Sequence, residues 1–307
     1  MNWDSLLRAV THLTQTYPGF VGDNDEDDQE KLTKPETELF SVFLDPERGG
    51  SLSFNLQSLL YAAHNVRDRL STDIWRMFND IETGLERLQA RRAHFSAEDP
   101  WMLSAALEQL NDLVTSFAAF SGFSMDGLTH GQGWRFLMMG RRLERAQQGV
   151  YLLRATLSNP ISDEPTMLEH LLTVFDCLMT YRRRYRTQPQ IEAVLYLLFQ
   201  DENNPRSLAY QLRHLNDDVQ KLPRENSNYR SAEERFVLDS LTRIRLAEVP
   251  DLSRSTGQPA FRKNLDQLLA RQTRLLNSIS ETLSNAYFSH TKQPHQLVAL
   301  LKPKNID

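Results

Sequence analysis

The sequence predicts an all-α protein, and three observations lead to that prediction. The 307-residue chain has only 12 glycines and 13 prolines. The long segments between them carry apolar residues three and four positions apart, as one face of an amphipathic helix requires. A chain of this length can also bury roughly 75% of the surface that its unfolded form exposes. We therefore expect one domain over 1–307, a bundle of about ten helices.

Three long helices are expected in the first part of the chain. One covers 51–70, where leucines recur at helical spacing, and Ser71 is the expected N-cap of the next, TDIWRMFNDIETGLERLQARR. A third opens at Ser96, with Asp99 at its third helical position and Pro100 after it, and runs to about residue 121.

In the second part, glycines at 122 to 133 precede a helix over 134–157. The next helix starts at Ser162 and Pro165 and reaches the run YRRRYR at 181–186. A last long helix covers about 260–286 and is followed by a loose tail, 291–307.

An internal repeat is indicated by the segments FLDPERGGSLSFNLQSL (43–59) and FQDENNPRSLAYQLRHL (199–215), which align without gaps at an offset of 156. The repeat predicts two degenerate halves, at about 1–125 and 126–290. In the second half, Asn204 is the expected N-cap and Pro205 the first helical residue, where the first half has Gly49-Gly50. The same offset places a counterpart of helix 134–157 at about −22 to 1, ahead of the first residue of the chain.

Composition excludes several classes of function. With 40 acidic and 35 basic side chains, a net charge of −5 gives no general attraction to nucleic acid. No apolar run approaches the ~20 residues of a membrane span, and the N-terminus lacks a signal-peptide pattern, so we expect a soluble, cytoplasmic protein. Cys177, the single cysteine, lies in an apolar run and is expected to be buried. No E-x-x-H pair occurs, and no metal site is predicted.

Arginine is dense on helix 134–157 and beyond it. From 130 to 215 there are eleven arginines and no lysine, against eight carboxylates. Arginine is preferred to lysine where a planar fork holds a carboxylate or phosphate, or where an ion pair is buried. Three interpretations stay open. One is an exposed helix face on which Glu144 pairs with Arg141 and with Gln148. Another is a binding site for a carboxylate, a phosphate or the acidic surface of a partner, and the third is an internal Arg-Glu network with Glu144 as its buried anion.

The strings GWRFLMMGRRLERA, YRRRYR, LFQDENNPRSLAYQL, VRDRLS and YFSH resemble the bacterial alpha-E family, and the likeness runs from about Trp3 to His290. The resemblance implies an all-helical domain that typically begins with another Glu-Arg helix, the one that the repeat places before residue 1. It also implies partnership with a circularly permuted ATP-grasp protein or domain, and with a transglutaminase-like protein, in a peptide-forming or peptide-modifying system. The chain would have no cofactor of its own, and ATP and magnesium would enter through the ATP-grasp partner.

Carried over by position, the family pattern makes Glu144 the candidate catalytic residue and implies a set that binds substrate or partner. That set is Arg135, Arg141, Arg145, Arg182, Arg184, Asp201, Asn204, Arg206, Ser207 and Gln211. We expect a helical partner or domain of an ATP-grasp ligase that uses this Arg/Glu cluster to hold a carboxylate, a phosphate or the ligase itself. In one alternative, Glu144 is a general acid or base acting on an amide or peptide bond. In another, the chain is purely a structural scaffold. The run LLYAAHNVRD and Gly49-Gly50 depart from the family pattern and indicate a degenerate first half.

Overall fold

The computed structural model describes residues 4–21, 31–92, 99–161, 163–223 and 228–289. Within these ranges the chain is all-α, as predicted, with about fourteen helices and no β-strand. The number exceeds the predicted ten because several short helices lie between the prolines of the second half. None of the described helices has the length and apolar character needed to cross a membrane.

The first part of the chain forms five helices with defined bounds. They are α1 (Asp4–Thr14), α2 (Pro35–Leu44), α3 (Leu52–Asn65), α4 (Thr72–Arg92) and α5 (Pro100–Asp126), with a 3₁₀ turn at Arg67–Arg69. The predicted cap Ser71 is confirmed, since its Oγ accepts a hydrogen bond from the Ile74 amide at 3.3 Å. The N-cap of α5 is Asp99, whose carboxylate accepts from the Trp101 amide at 2.8 Å. Asp99 is therefore not the third helical residue, and Ser96 lies outside the described residues.

The second part forms eight more helices. They are α6 (Gln132–Leu157), α7 (Glu164–Val174), α8 (Leu178–Tyr185), α9 (Ile191–Leu195), α10 (Leu208–Val219), α11 (Ala232–Arg245), α12 (Val249–Ser253) and α13 (Lys263–Tyr287), and α9 continues into a π turn, Tyr196–Gln200. The prediction of a single helix that reaches YRRRYR is wrong. Asp176 takes a left-handed conformation (φ 52°), and it separates α7 from α8. Ser162 and the tail 291–307 lie outside the described residues.

The larger of two apolar cores is organised around α6. This helix lies between α10 and α13, and α11 closes the group by packing against the same two helices. Near its start, Phe136 contacts Tyr287 at the end of α13, with ring centroids 5.3 Å apart. Near its end, Arg154 pairs with Asp266 at the start of α13. Helix α6 is therefore antiparallel to α13.

The smaller core lies between α2, α3, α4 and α5, and its buried side chains form a cluster separate from the larger one. Helix α1 does not join it. Ala9 of α1 is buried in the larger core, where α1 packs on α6. The two cores therefore do not follow a simple division of the chain into a first and a second half.

The loops before α3 and α10 have matching hydrogen bonds, and Ser51 and Ser207 are the N-caps of these helices. The Ser51 hydroxyl donates to the Asp45 carbonyl and the Ser207 hydroxyl to the Asp201 carbonyl, each at 2.5 Å. Each serine also accepts from the amide three residues on, at 3.0 and 3.1 Å. The expectation that Asn204 caps α10 is thus wrong, because Asn204 lies in the preceding turn. The division of the whole chain into two repeats stays a prediction.

Candidate functional site

Three arginines of α6 contact three different helices. The Arg141 guanidinium donates to Ser121 Oγ of α5 at 2.6 Å. Arg142 forms a close ion pair with Asp218 at the end of α10. The Nε of Arg154 lies 2.8 Å from an Asp266 carboxylate oxygen on α13. These three side chains link α6 to α5, α10 and α13. A structural role therefore explains part of the high arginine content of this helix.

Glu144, the candidate catalytic residue, is exposed on the side of α6. Its carboxylate accepts a hydrogen bond from Gln148 Nε2 at 2.8 Å, one turn along the helix. Within the described ranges it forms no ion pair with an arginine. The interpretation of Glu144 as the buried anion of an Arg-Glu network is therefore wrong.

Arg145 lies beside two further cations. Part of its side chain is exposed and the rest is surrounded by protein. Burial lowers the pKa of Arg145 below its ordinary range, and the positive charges of Arg206 and Arg141 lower it further. Tyr210 on α10 is also close. In the described part of the chain Arg145 pairs with no carboxylate, so Arg141, Arg145 and Arg206 form a cluster, here called the arginine cluster, with unbalanced positive charge.

Arg206 enters this cluster from the loop before α10. Its amide donates to Asn204 Oδ1 at 3.1 Å. Its guanidinium lies 3.2 Å from an Asp176 oxygen, and the side chain of that aspartate is 84% exposed. An ion pair so open to water adds about 0–1 kcal/mol, so Asp176 holds Arg206 only weakly.

The four uncharged or acidic members of the predicted set are buried and bonded within the protein. They are Asp201, Asn204, Ser207 and Gln211. Asn204 Nδ2 donates to the Leu197 carbonyl at 2.8 Å, and Gln211 Nε2 donates to the Pro205 carbonyl. Each of these side chains has a hydrogen-bond partner within the protein. Their contribution to a site is to fix the backbone on which Arg206 stands.

The two predicted arginines of YRRRYR have partners elsewhere. Arg184 donates to an Asp201 oxygen at 2.6 Å, and its guanidinium lies 5.2 Å from the centroid of the Tyr196 ring. Arg182 pairs with Glu169 of α7. Neither belongs to the arginine cluster, so the structure separates them from Arg145.

Arg135 also stands apart, near the end of α10. Its Nε is buried with no hydrogen-bond partner among the described residues. Its charge acts on Asp218, the partner of Arg142. Burial raises the pKa of Asp218, and Arg142 is the strongest of the cations that oppose that rise. The predicted set of ten is therefore distributed over several places, with three members in the arginine cluster.

Cys177 is buried, with 1% of its surface exposed, which confirms the expectation of a small apolar side chain. Burial raises the pKa of its thiol, so the reactive thiolate is disfavoured. Sequence reasoning missed Ser121, Tyr210 and Asp218, which contact or surround the arginines. The sequence contains a signal for Tyr210 alone, because this aromatic residue matches Phe54 in the aligned segments and lies one turn after Arg206.

Comparison with known proteins places the chain among relatives. The model of the family Alpha-E, a predicted alpha-helical domain with a conserved ER motif, matches residues 1–288. Uncharacterized proteins of Mycobacterium bovis and of Mycobacterium tuberculosis H37Rv are each 32% identical over 249 residues, which is 80% of this chain and 27% of theirs. The chain thus spans about a quarter of the length of these relatives. No solved structure matches. The chain belongs to the Alpha-E family.

Proposed function

We propose that this chain is a helical partner or domain of an ATP-grasp ligase in a peptide-forming or peptide-modifying system. The arginine cluster binds a carboxylate or phosphate group in that system. The observation that carries the proposal is Arg145, an exposed cation of α6 that lies beside Arg141 and Arg206 and forms no ion pair with a carboxylate of the described residues. The association with the ligase rests on the family resemblance.

The chemistry of the cluster favours an anionic ligand. Guanidinium groups in proximity repel one another, and an anion between them removes that repulsion while accepting paired N–H hydrogen bonds. Arg206 can leave Asp176 at small cost, because that aspartate is exposed. Arg145 stands on α6, which Arg142 and Arg154 fasten, so the site is carried by a rigid element.

ATP and magnesium act in the ligase and reach this chain only through it. A transglutaminase-like protein is a second expected partner of the same system. Glu144 is not proposed as a general acid or base, because its carboxylate is exposed and hydrogen-bonded to Gln148 rather than held toward a bound group.

Titration calorimetry with inorganic phosphate and with acetate tests the cluster directly. We expect one binding site, and Arg145→Gln should weaken binding at least about tenfold through loss of one charge-assisted contact. The matched control is Arg254→Gln, which alters an exposed arginine at the end of α12 whose side chain is 68% exposed. Equal affinity in the wild type and Arg145→Gln would contradict an anion site at the cluster.

The association is tested by mixing the chain with a circularly permuted ATP-grasp protein and with candidate amino acids, and following ADP release and product mass. We expect the chain to change the turnover of the ligase, and Arg145→Gln to reduce that effect. ATP hydrolysis by the chain alone that survives rigorous purification would overturn the proposal.

A further inference from the structure

An open apolar groove runs between α3 and α5 in the smaller core. At one end, Leu52 of α3 and Leu107 of α5 line a cavity of about 530 Å³. At the other end, Leu59 and Val66 of α3 and Phe120 of α5 line a cavity of about 1220 Å³. Because the starts of both helices meet at one cavity and their later turns at the other, α3 and α5 are parallel.

The side of α5 that borders this groove carries an exposed apolar stripe. Leu103, Leu107, Leu110 and Val114 are 36%, 62%, 37% and 69% exposed. Their spacing of four, three and four residues is that of a helix seam that packs against another helix. Single exposed leucines are common on protein surfaces, whereas a continuous stripe beside two apolar cavities indicates a contact surface.

The larger core shows how the same arrangement is filled. Helix α10 corresponds to α3 at the offset of 156, and α13 follows α11 along the chain as α5 follows α4. Helix α6 lies between α10 and α13. Arg142 of α6 pairs with the end of α10, at Asp218, and Arg154 with the start of α13, at Asp266. Val10 and Leu13 of α1 line the first cavity, and Trp134 and Leu137 of α6 line the second. Among the described residues, no helix lies between α3 and α5 as α6 lies between α10 and α13.

We propose that the groove between α3 and α5 binds an amphipathic α-helix of a partner polypeptide, antiparallel to both helices as α6 is to α10 and α13. A helix of α6's 26 residues is long enough to cover both cavities. This recognition is of the kind in which an apolar helix face lies in an apolar groove.

The residues around the groove define the chemistry of that helix. At the offset of 156, Asp218 corresponds to Ala62. Asp266 is the fourth residue of α13, and the fourth residue of α5 is Leu103. The partner helix is therefore apolar at the two positions where α6 has Arg142 and Arg154. Gln148 of α6 lines the first cavity and donates to the exposed carboxylate of Glu144. The side of the partner helix that faces α6 therefore carries a cation, which complements the negative charge of Glu144.

Two synthetic peptides test the groove with the intact chain. One has the sequence of residues 132–157, and the other has the same sequence with Arg142→Leu and Arg154→Leu. We expect the leucine peptide to bind one to one, measured by fluorescence anisotropy, at least about tenfold more tightly than the unmodified peptide. Two buried arginines without carboxylates would cost at least that much.

Protein variants separate groove binding from non-specific adhesion. Leu107→Glu places a charge on the exposed stripe without disturbing a buried side chain, and should reduce affinity for the leucine peptide at least about tenfold. Met179→Glu, at an α8 side chain that is 75% exposed and outside the groove, is the matched control and should bind as the wild type does.

Three results would overturn the proposal. One is equal affinity of the wild type and Leu107→Glu for the leucine peptide, and another is a leucine peptide that binds no better than the unmodified one. The third is a dimer of the chain alone, measured by light scattering, that Leu107→Glu converts to a monomer, since a second copy would then fill the groove.

Discussion

The loops before α3 and α10 have nearly the same local structure, and the helices behind them are packed very differently. Both loops place a serine as N-cap and direct its hydroxyl to the carbonyl of an aspartate six residues earlier. Behind the second loop, Phe199 is fully buried in the larger core, whereas its counterpart Phe43 borders the open groove. Local hydrogen bonds are thus shared by the two regions although the packing is not.

The difference shows which properties depend on neighbours. A serine cap needs only the residues next to it, so it forms in both loops. A complete core needs a helix on each side, and α6 supplies one for α10 and α13. The side-chain hydrogen bonds that hold each loop in place also differ. In the first loop Arg48 donates to Glu38 and to the Thr16 carbonyl, whereas in the second Asn204 donates to the Leu197 carbonyl.

The largest effect is expected from truncating the two matched phenylalanines. Phe199→Ala should lower the free energy of unfolding by about 3–5 kcal/mol, because it leaves a cavity in a closed core. Phe43→Ala should cost about 1.5–3 kcal/mol, because one side of that ring already faces a cavity. Urea denaturation followed by circular dichroism measures both. Equal losses would show that the two cores are equally well packed.

A smaller and equal effect is expected from the two caps. Ser51→Ala and Ser207→Ala each remove one accepted and one donated hydrogen bond of the same geometry, so each should lower the free energy of unfolding by about 1–2 kcal/mol. The same denaturation experiment gives the values. If the two losses of unfolding free energy differ by more than about 1 kcal/mol, caps of the same geometry do not stabilise the two loops equally.

The smallest effect concerns pH and the second region alone. The pKa of His214 on α10 is lowered, first by burial and then by Arg213 and Arg142. The unfolded chain therefore takes up this proton more readily, and stability falls as pH decreases below the ordinary histidine pKa of about 6.5. His214→Gln should lose less stability than the wild type between about pH 7 and pH 5. Parallel denaturation profiles of the two proteins would contradict this.

At the equivalent position in the first region stands Ser58, which has no group that titrates in this range. Ser58→Ala should therefore leave the pH profile of the wild type unchanged. An altered profile in that variant would show that the pH effect does not belong to His214 specifically.

The sequence was sufficient where structure depends on neighbouring residues. The all-α fold, the Ser71 cap and the burial of Cys177 follow from local spacing and from apolar runs, and all three are confirmed. The error at Asn204 has a local cause too. An Asn-Pro pair is typical of a helix start, but the Asn204 side chain is occupied by the Leu197 carbonyl, and the helix begins after Ser207.

Partners distant in the chain could not be predicted. Arg142 and its partner Asp218 are 76 residues apart, and no pattern in the sequence joins them. The interpretation of Glu144 as a buried anion rests on its position among arginines, yet three of those arginines bond to Ser121, Asp218 and Asp266 on other helices. Helix packing decides which of the eleven arginines form ion pairs and which lie beside one another, so the arginine cluster could be identified only in the structure.

The position of α1 has a consequence for how the chain folds. Helix α1 packs on α6, and the whole smaller core lies between them in sequence. Contacts between segments so far apart are slow to form, because a long loop must close first. During synthesis helices α2 to α5 can pack together before α6 is made, and until then the apolar side of α1 lacks the helix that it packs against. Folding of the larger core is therefore completed only after α13, which follows α6 and α10 along the chain, has left the ribosome.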